Sequence, residues 1–209
     1  SSAGAIGLMQ IMPATARWIS NQIGDRRAHA TVREPETNIR FGTFYLKTVL
    51  DDLDAVLEVG RTTWPATYGP IAGDDYVAMG LAKWWTREET LPLVYSGRTT
   101  VAENGAPEGP GHVVGIASTG LLTGHLVLFR LYVLPDHQGR GIGRRLLEDV
   151  LAQAALAGHP DIRLSYLEGN DSAARFYAAA GFTDLHREHN GHGIPDSVWV
   201  VRALNQEGS

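Results

Sequence analysis

The chain has no cysteine among its 209 residues. That excludes disulfides, a thiol nucleophile and an acyl-cysteine relay, and it agrees with a cytoplasmic location. Long apolar runs are also missing: nothing approaches the roughly 18 consecutive apolar residues of a membrane-spanning helix, so no membrane association is expected. No signal-peptide pattern is visible. Charge of one sign is scarce as well. The formal net charge is −5, and no basic patch stands out beyond one glycine-rich turn, which argues against a nucleic-acid partner. Repeats and low-complexity segments are absent. What remains, 44% hydrophobic and 20% charged residues, suits a globular chain of one domain plus an appendage.

The most informative stretch is Val133-Leu134-Pro135-Asp136-His137-Gln138-Gly139-Arg140-Gly141-Ile142-Gly143-Arg144-Arg145. An apolar run, Leu126 to Leu134, ends at Pro135 and is followed by a Gln-x-x-Gly-x-Gly turn. Apolar residues then recur at Ile142, Leu146, Leu147, Val150, Leu151 and Ala154, which is helical spacing. The order is strand, glycine turn, helix, with the helix expected from about Gly139 to Ala157. Glycines let backbone N–H groups approach a ligand, and the helix dipole favours negative charge at that end. Arg140, Arg144 and Arg145 add positive charge, so the turn reads as a phosphate or pyrophosphate site. It lacks the Lys-Ser/Thr of a P-loop and the glycine placement of a dinucleotide fingerprint.

Other segments extend the pattern. Arg98–Glu103, His112–Leu121 and His125–Leu134 read as a meander of three strands, with a Gly- and Pro-rich turn over Asn104–Gly111. Ile162–Leu167 follows a helix and is expected to run parallel to the 126–134 strand. Asn170 or Asp171 caps a helix that runs to Ala180 and stops at Gly181. Thr183–His189 and Ser197–Ala203 close a hairpin around Asn190-Gly191-His192-Gly193.

Gln138-x-x-Gly141-x-Gly143 resembles the acyl-CoA pyrophosphate loop of the GNAT superfamily of N-acetyltransferases. Further on, Asn170-x-x-Ala173-x-x-Phe176-Tyr177-x-x-x-Gly181-Phe182 is similar to the second signature of that family. The resemblance implies an α/β fold whose mixed sheet splays open between the 126–134 and 162–167 strands, with acetyl-CoA as cosubstrate in the opening. It implies that the backbone around Tyr132, Val133 and Leu134 holds the pantetheine arm. It places the pyrophosphate on Gln138, Gly139, Gly141, Gly143 and Arg144, with Arg140 beside them. Tyr177 matches the family tyrosine near the sulfur that acts as general acid, and Asn170 the asparagine that contacts the cofactor arm.

Acyl transfer needs a neutral amine, a polarised carbonyl and a protonated leaving thiolate. The acceptor is read as an amine of a small molecule or protein. Structural alternatives stay open: Tyr177 as a packed aromatic, Asn170 as a plain helix cap, Arg144 and Arg145 as a solvated helix face. Phe176 and Phe182 read as core. No base is identified; Glu168, Glu103, Asp136, His137 and His125 are candidates beside a water chain. Trp64 and Tyr68 are placed by the resemblance in a two-helix region on the acceptor side, contacting substrate or packing the helices on the sheet. His186-x-x-His189-x-x-His192 invites a zinc reading, but three-residue spacing on a strand sends successive side chains to opposite faces. No metal is expected.

Residues 1–50 resemble something else. Ser1-Ser2-Ala3-Gly4-Ala5-Ile6-Gly7-Leu8-Met9-Gln10-Ile11-Met12-Pro13, followed by Pro35-Glu36-Thr37-Asn38-Ile39-x-x-Gly42-x-x-Tyr45-Leu46, is similar to soluble lytic transglycosylases, with their goose-type-lysozyme-like helical fold. Ser1, Met9 and Gln10 match groove-lining residues there. The acid of that family precedes the Ser-x-x-Gly-Ala block, and Glu34 and Glu36 sit in a different motif, so lytic activity is not expected of these residues. The expected organisation is a truncated transglycosylase-like helical fragment over 1–50 and a GNAT domain over 51–209. The first strand of that fold has no counterpart, which leaves Arg98–Glu103 as an unpaired edge. Rival readings are a peptidoglycan-binding module and a non-catalytic chimera that binds CoA.

Overall fold

The computed structural model describes residues 11–25, 27–105 and 112–204, with backbone alone over 45–50. Ser1, Met9 and Gln10 therefore lie outside the described residues, as does most of the 104–111 turn. The chain divides into two compact units, Ser1–Asp52 and Leu53–Ser209. In the first, α1 (Pro13–Gln22) starts on a proline, whose fixed φ suits a helix entry. A 3₁₀ turn over Ala28–Thr31 follows, and then α2 (Pro35–Trp84) begins. Ile11, Ala16, Ile19, Ala28, Val32 and Phe41 form this unit's small core. Asn38, fully buried, donates from Nδ2 to Val32 O at 3.0 Å, which satisfies a polar group that would otherwise be costly there.

The second unit holds the rest of α2, which is broken at Gly73, where φ 79° and ψ 173° are not helical. α3 (Arg87–Tyr95) follows, capped by Thr86, whose hydroxyl accepts from Glu89 N at 3.2 Å. Six strands come next: β1 (Thr99–Asn104), β2 (His112–Leu122), β3 (His125–Val133), β4 (Asp161–Leu167), β5 (Thr183–Glu188) and β6 (Ser197–Ala203). α4 (Ile142–Leu156) lies between β3 and β4, and α5 (Asp171–Ala179) between β4 and β5.

The sheet order is β1-β2-β3-β4-β6-β5, so β1 is an edge strand. All pairings are antiparallel except β3–β4, which is parallel and holds only two register pairs, Leu126↔Ile162 and Val127↔Arg163. Beyond them the two strands part, as the resemblance implied. β3 also carries a bulge, because Ser118 faces Arg130 while Thr119 faces Leu128, leaving Phe129 as the extra residue.

Two apolar layers cover the sheet. On one face Leu146, Leu147, Val150, Leu151 and Ala154 of α4 pack on Leu126, Leu128, Ile162, Leu164, Val198 and Val200. Burying each large aliphatic side chain contributes about 1.5–3 kcal/mol. On the other, Val56, Val59, Trp64, Val77 and Trp85 pack on Ile116 of β2, with Tyr68, Tyr76, Trp84 and Tyr132 against them. Trp85 comes so close to α2 that a Cβ added to Gly60 would lie 1.9 Å from its ring. Arg130, 7% exposed, braces this layer. Its Nη1 donates to Thr90 Oγ1 at 3.1 Å, its Nη2 donates to Trp84 O, and its guanidinium stands 4.4 Å from the Trp85 ring centroid.

α4 starts at Ile142 rather than near Gly139. Gly139 and Gly141 have φ of 74° and 77°, left-handed values that a right-handed helix cannot contain. The histidine run does not lie along a strand: β5 ends at Glu188, so only His186 is in it.

Candidate active site

The parting of β3 from β4 opens a cavity of about 710 Å³, whose wall is supplied by α2, β3, the turn before α4, β4 and α5. At one end is the glycine turn. Pro135–His137 forms a single 3₁₀ turn, and Gln138 Nε2 reaches back to Val133 O at 2.9 Å, fastening the turn to the end of β3. Gly141, left-handed, is the N-cap of α4, and no acidic residue occupies the first helical turn. Arg145 N donates to Gly141 O at 3.1 Å. The amides of Ile142, Gly143 and Arg144 therefore precede the helical ladder, as donors at the positive end of the dipole. A Cβ at Gly139 or Gly141 would meet nothing within 4 Å, so conformation, not crowding, demands glycine there. This open shelf of amides fits a diphosphate. Arg144's side chain, 80% exposed, is turned to Glu148, Nε to Oε1 at 2.8 Å, which leaves the backbone as that residue's closest offering to the cavity. Arg140 is exposed and does not line it.

The backbone of β3 forms the floor. Leu134 N donates to Val114 O at 2.8 Å. Alternation in an antiparallel pair then turns the amide of Tyr132 to β2 as well, and leaves those of Leu131 and Val133 facing the opening. Of the run Tyr132-Val133-Leu134, Val133 is thus the residue whose N–H points toward a ligand between the strands. Tyr132 contributes its side chain instead: its hydroxyl lies 3.3 Å from that of Tyr68 on α2.

Tyr177 reaches the cavity from α5, its ring edge-on to Phe176 and Phe182 and stacked with Tyr166 of β4 at 6.3 Å and 17°. Burial raises its hydroxyl above the ordinary tyrosine value, and the charge of a nearby Tyr68 phenolate would raise it further. Burial likewise raises Tyr132, with Tyr68 adding to it, and raises Tyr68 itself. These hydroxyls are protonated at neutral pH and available as donors. Asn170 both lines the cavity and caps α5, its Oδ1 accepting from Ala173 N at 3.1 Å. Phe182 is buried core, whereas Phe176 is partly exposed and lines the cavity.

Of the candidate bases only His137 lines the cavity, at the glycine-turn end, with Nε2 3.1 Å from Asn104 Nδ2. Glu168 pairs with Arg187 at 2.8 Å, and His125 stands 3.9 Å from Asp161. Glu103 and Asp136 do not line the cavity either. Trp64 is buried in the helix layer, 4.2 Å from the Tyr68 ring, while Tyr68 lines the cavity. His186 stacks on Trp199, His189 Nδ1 lies 2.8 Å from Asp196 Oδ1, and His192 sits in a turn. No group of three potential metal ligands occurs among the described residues.

Several residues in and around the site were not singled out in the sequence, among them Thr63, Thr67, Phe129, Leu131, Ser165 and Tyr166 of the cavity wall and Arg130 behind it. Tyr166 was legible in principle, because alternation along β4 places it on the face of Ile162 and Leu164. Leu131 needs the strand register, and Arg130 the bulge, and neither has a local signal.

Comparison with known proteins accords with this geometry. Residues 95–184 match the family model of the acetyltransferase (GNAT) domain, and residues 1–69 that of the transglycosylase SLT domain. The chain is 24% identical over 138 residues to a spermidine N(1)-acetyltransferase of Thermoplasma acidophilum, covering 65% of this chain and 85% of that one. It is 29% identical to the peptidyl-lysine N-acetyltransferase YiaC of Escherichia coli, over 63% of this chain and 77% of the other. The PaiA N-acetyltransferase of Thermoplasma acidophilum, solved with coenzyme A, superposes with a TM-score of 0.58 at 21% identity, over 71% of this chain and 92% of that one.

Proposed function

We propose, for a chain whose residues 95–184 are a GNAT acetyltransferase domain, direct transfer of an acetyl group from acetyl-CoA to a primary amine of a small molecule or protein. The chain is an acetyl-CoA-dependent N-acetyltransferase; the kind of acceptor and the residue roles belong to the proposal. The observation that carries it is the joining of a left-handed glycine shelf at the α4 N-terminus to a gap between two parallel strands, with a protonated tyrosine beside it.

Bound acetyl-CoA supplies the thioester. The amides of Gly139, Gly141, Gly143 and Arg144 hold its pyrophosphate, and Gln138 fixes the turn. Arg140 adds positive charge at the rim. Val133 N–H meets the pantetheine arm, with Tyr132 and Leu134 setting the strand that carries it and Asn170 bordering the same path. The amine nitrogen attacks the carbonyl carbon, a C–N bond forms and the C–S bond breaks. Tyr177 passes its hydroxyl proton to the departing sulfur, and the proton shed by the amine travels through water and restores the Tyr177 hydroxyl. The division into residues 1–50 and 51–209 is part of the same proposal.

Isothermal titration with acetyl-CoA and, separately, CoA tests it. Micromolar binding is expected of both. A folded chain that binds neither would overturn the proposal. The transglycosylase match over residues 1–69 supports a second, independent role for the first unit in binding glycan strands, and sedimentation with isolated peptidoglycan checks that.

A further inference from the structure

The acetyltransferase reading leaves the acceptor open, and the wall of the cavity away from the glycine turn bears on it. That end is lined by Thr63, Thr67 and Tyr68 of α2, Phe129 of β3, and Ser165 and Tyr166 of β4. Among the described residues no carboxylate lines the cavity at either end. The threonine hydroxyls are turned back on their own helix, Thr63 Oγ1 donating to Val59 O at 2.7 Å and Thr67 Oγ1 to Thr63 O at 2.8 Å. The polar groups left at this end are the Tyr68–Tyr132 hydroxyl pair and the hydroxyls of Ser165 and Tyr166, none of them charged.

We infer that the acceptor is a single amine on an uncharged, apolar or aromatic body, and that a polyamine is a poor substrate. The inference rests on the acetyltransferase reading and narrows it. An ammonium enclosed without an anionic partner is heavily penalised. A polyamine would have to place its second cation against this wall, or hold it out in solvent and forgo the contact. Aromatic faces can compensate for a missing carboxylate, but of the rings at this end Tyr68 and Tyr166 are covered by others, and Phe129 is 45% exposed to water, where such a contact contributes little. Tyr166 stacks on Tyr177, and Trp64 lies against Tyr68. The tyrosine hydroxyls stay protonated, so no phenolate supplies the missing charge.

The same neutrality helps the reaction. A carboxylate beside the nucleophile would hold it as ammonium, which cannot attack. An uncharged wall leaves the free amine more accessible than a wall bearing a carboxylate would. The phenol oxygens of the pair can accept the N–H groups of that amine, which leaves its lone pair free to face the thioester.

The test is steady-state acetylation of 2-phenylethylamine and of spermidine by the whole chain, followed by CoA release, with acetyl-CoA titrated alongside. The expected result is a kcat/KM for 2-phenylethylamine about tenfold or more above that for spermidine. Ser165→Asp, at an exposed position of β4, places a carboxylate in the wall. It should narrow the ratio by about tenfold, through a lower KM for spermidine, with acetyl-CoA affinity unchanged. Equal use of the two amines, a preference for spermidine, or a ratio that Ser165→Asp does not move would each overturn the inference while leaving the acetyltransferase reading standing. Acetyl-CoA binding without turnover of 2-phenylethylamine would overturn it too. Failure to bind acetyl-CoA would remove the reading on which it rests.

Discussion

The two ends of the cavity are made of different material. The glycine-turn end is backbone, drawn from one contiguous stretch between Pro135 and Arg144, exposed, and shaped by two left-handed glycines. The far end is side chains, gathered from α2, β3, β4 and α5, uncharged, with hydroxyls, phenols among them, as its polar groups. A backbone site recognises what every bearer of the cofactor shares, the diphosphate. A side-chain site can be changed one residue at a time, and the proposed function puts acceptor choice there. If this division is right, changes at the two ends should separate in kinetics: affinity for acetyl-CoA at one, turnover and acceptor preference at the other.

The largest separation is expected from Tyr177→Phe. Loss of the general acid should lower kcat by about 10²–10³-fold, while the titrated affinity for acetyl-CoA stays nearly unchanged. An unaltered kcat would reduce Tyr177 to packing. Gly141→Asp is the complement. It forces a side chain into φ 77° and sets a carboxylate against the pyrophosphate, so acetyl-CoA affinity should fall about 100-fold, or ~3 kcal/mol. Undiminished affinity would break the assignment of the turn.

Gly60→Ala probes the layer beneath the acceptor end. With a Cβ placed 1.9 Å from the Trp85 ring, the ring or the helix must move, and thermal denaturation should show a loss of about 1–3 kcal/mol. A wild-type Tm would mean that Trp85 has room to retreat.

The smallest effect is the dependence of stability on pH. Burial raises the hydroxyls of Tyr68, Tyr132 and Tyr177, and moves Tyr76 to about 12. Above the free tyrosine value of 10.0 the unfolded chain sheds these protons while the folded chain keeps them, so stability is lost as pH rises from there. Arg130, lowered by burial to about 10, acts in the opposite direction over the same range, one group against these four and Tyr166, which burial also raises. The Tm should therefore decline above about pH 10, and less steeply in Tyr177→Phe. A flat profile would show that water reaches the phenols.

This division also explains what could be read in advance. The glycine turn, the cap at Asn170 and the stop at Gly181 were legible because each depends on a local backbone conformation that few residues tolerate. The parting of β3 and β4 followed from a helix between two strands together with the family resemblance. The pairing of Tyr68 with Tyr132 was not legible: nothing local to residue 68 or 132 encodes a hydroxyl contact made through sheet register and helix packing. The strand end near the histidines differs by one residue: the strand expected to reach His189 ends at Glu188, and His192 lies in the loop as expected. Phe176 looked like core from its helical neighbours, yet the opening between the strands exposes it to the cavity.

The aromatic layer over Ile116 has an optical consequence. Three of the chain's five tryptophans are in it, Trp64 lying 5.6 Å from Trp84 and 6.3 Å from Trp85, with Tyr132 5.4 Å from Trp85. Indoles at such separations couple their transitions, giving the near-ultraviolet circular dichroism a signature of this layer. Tyr132 joins the layer to the cavity. An acceptor seated against the phenol pair should therefore announce itself in the chain's own light, without label or coupled assay.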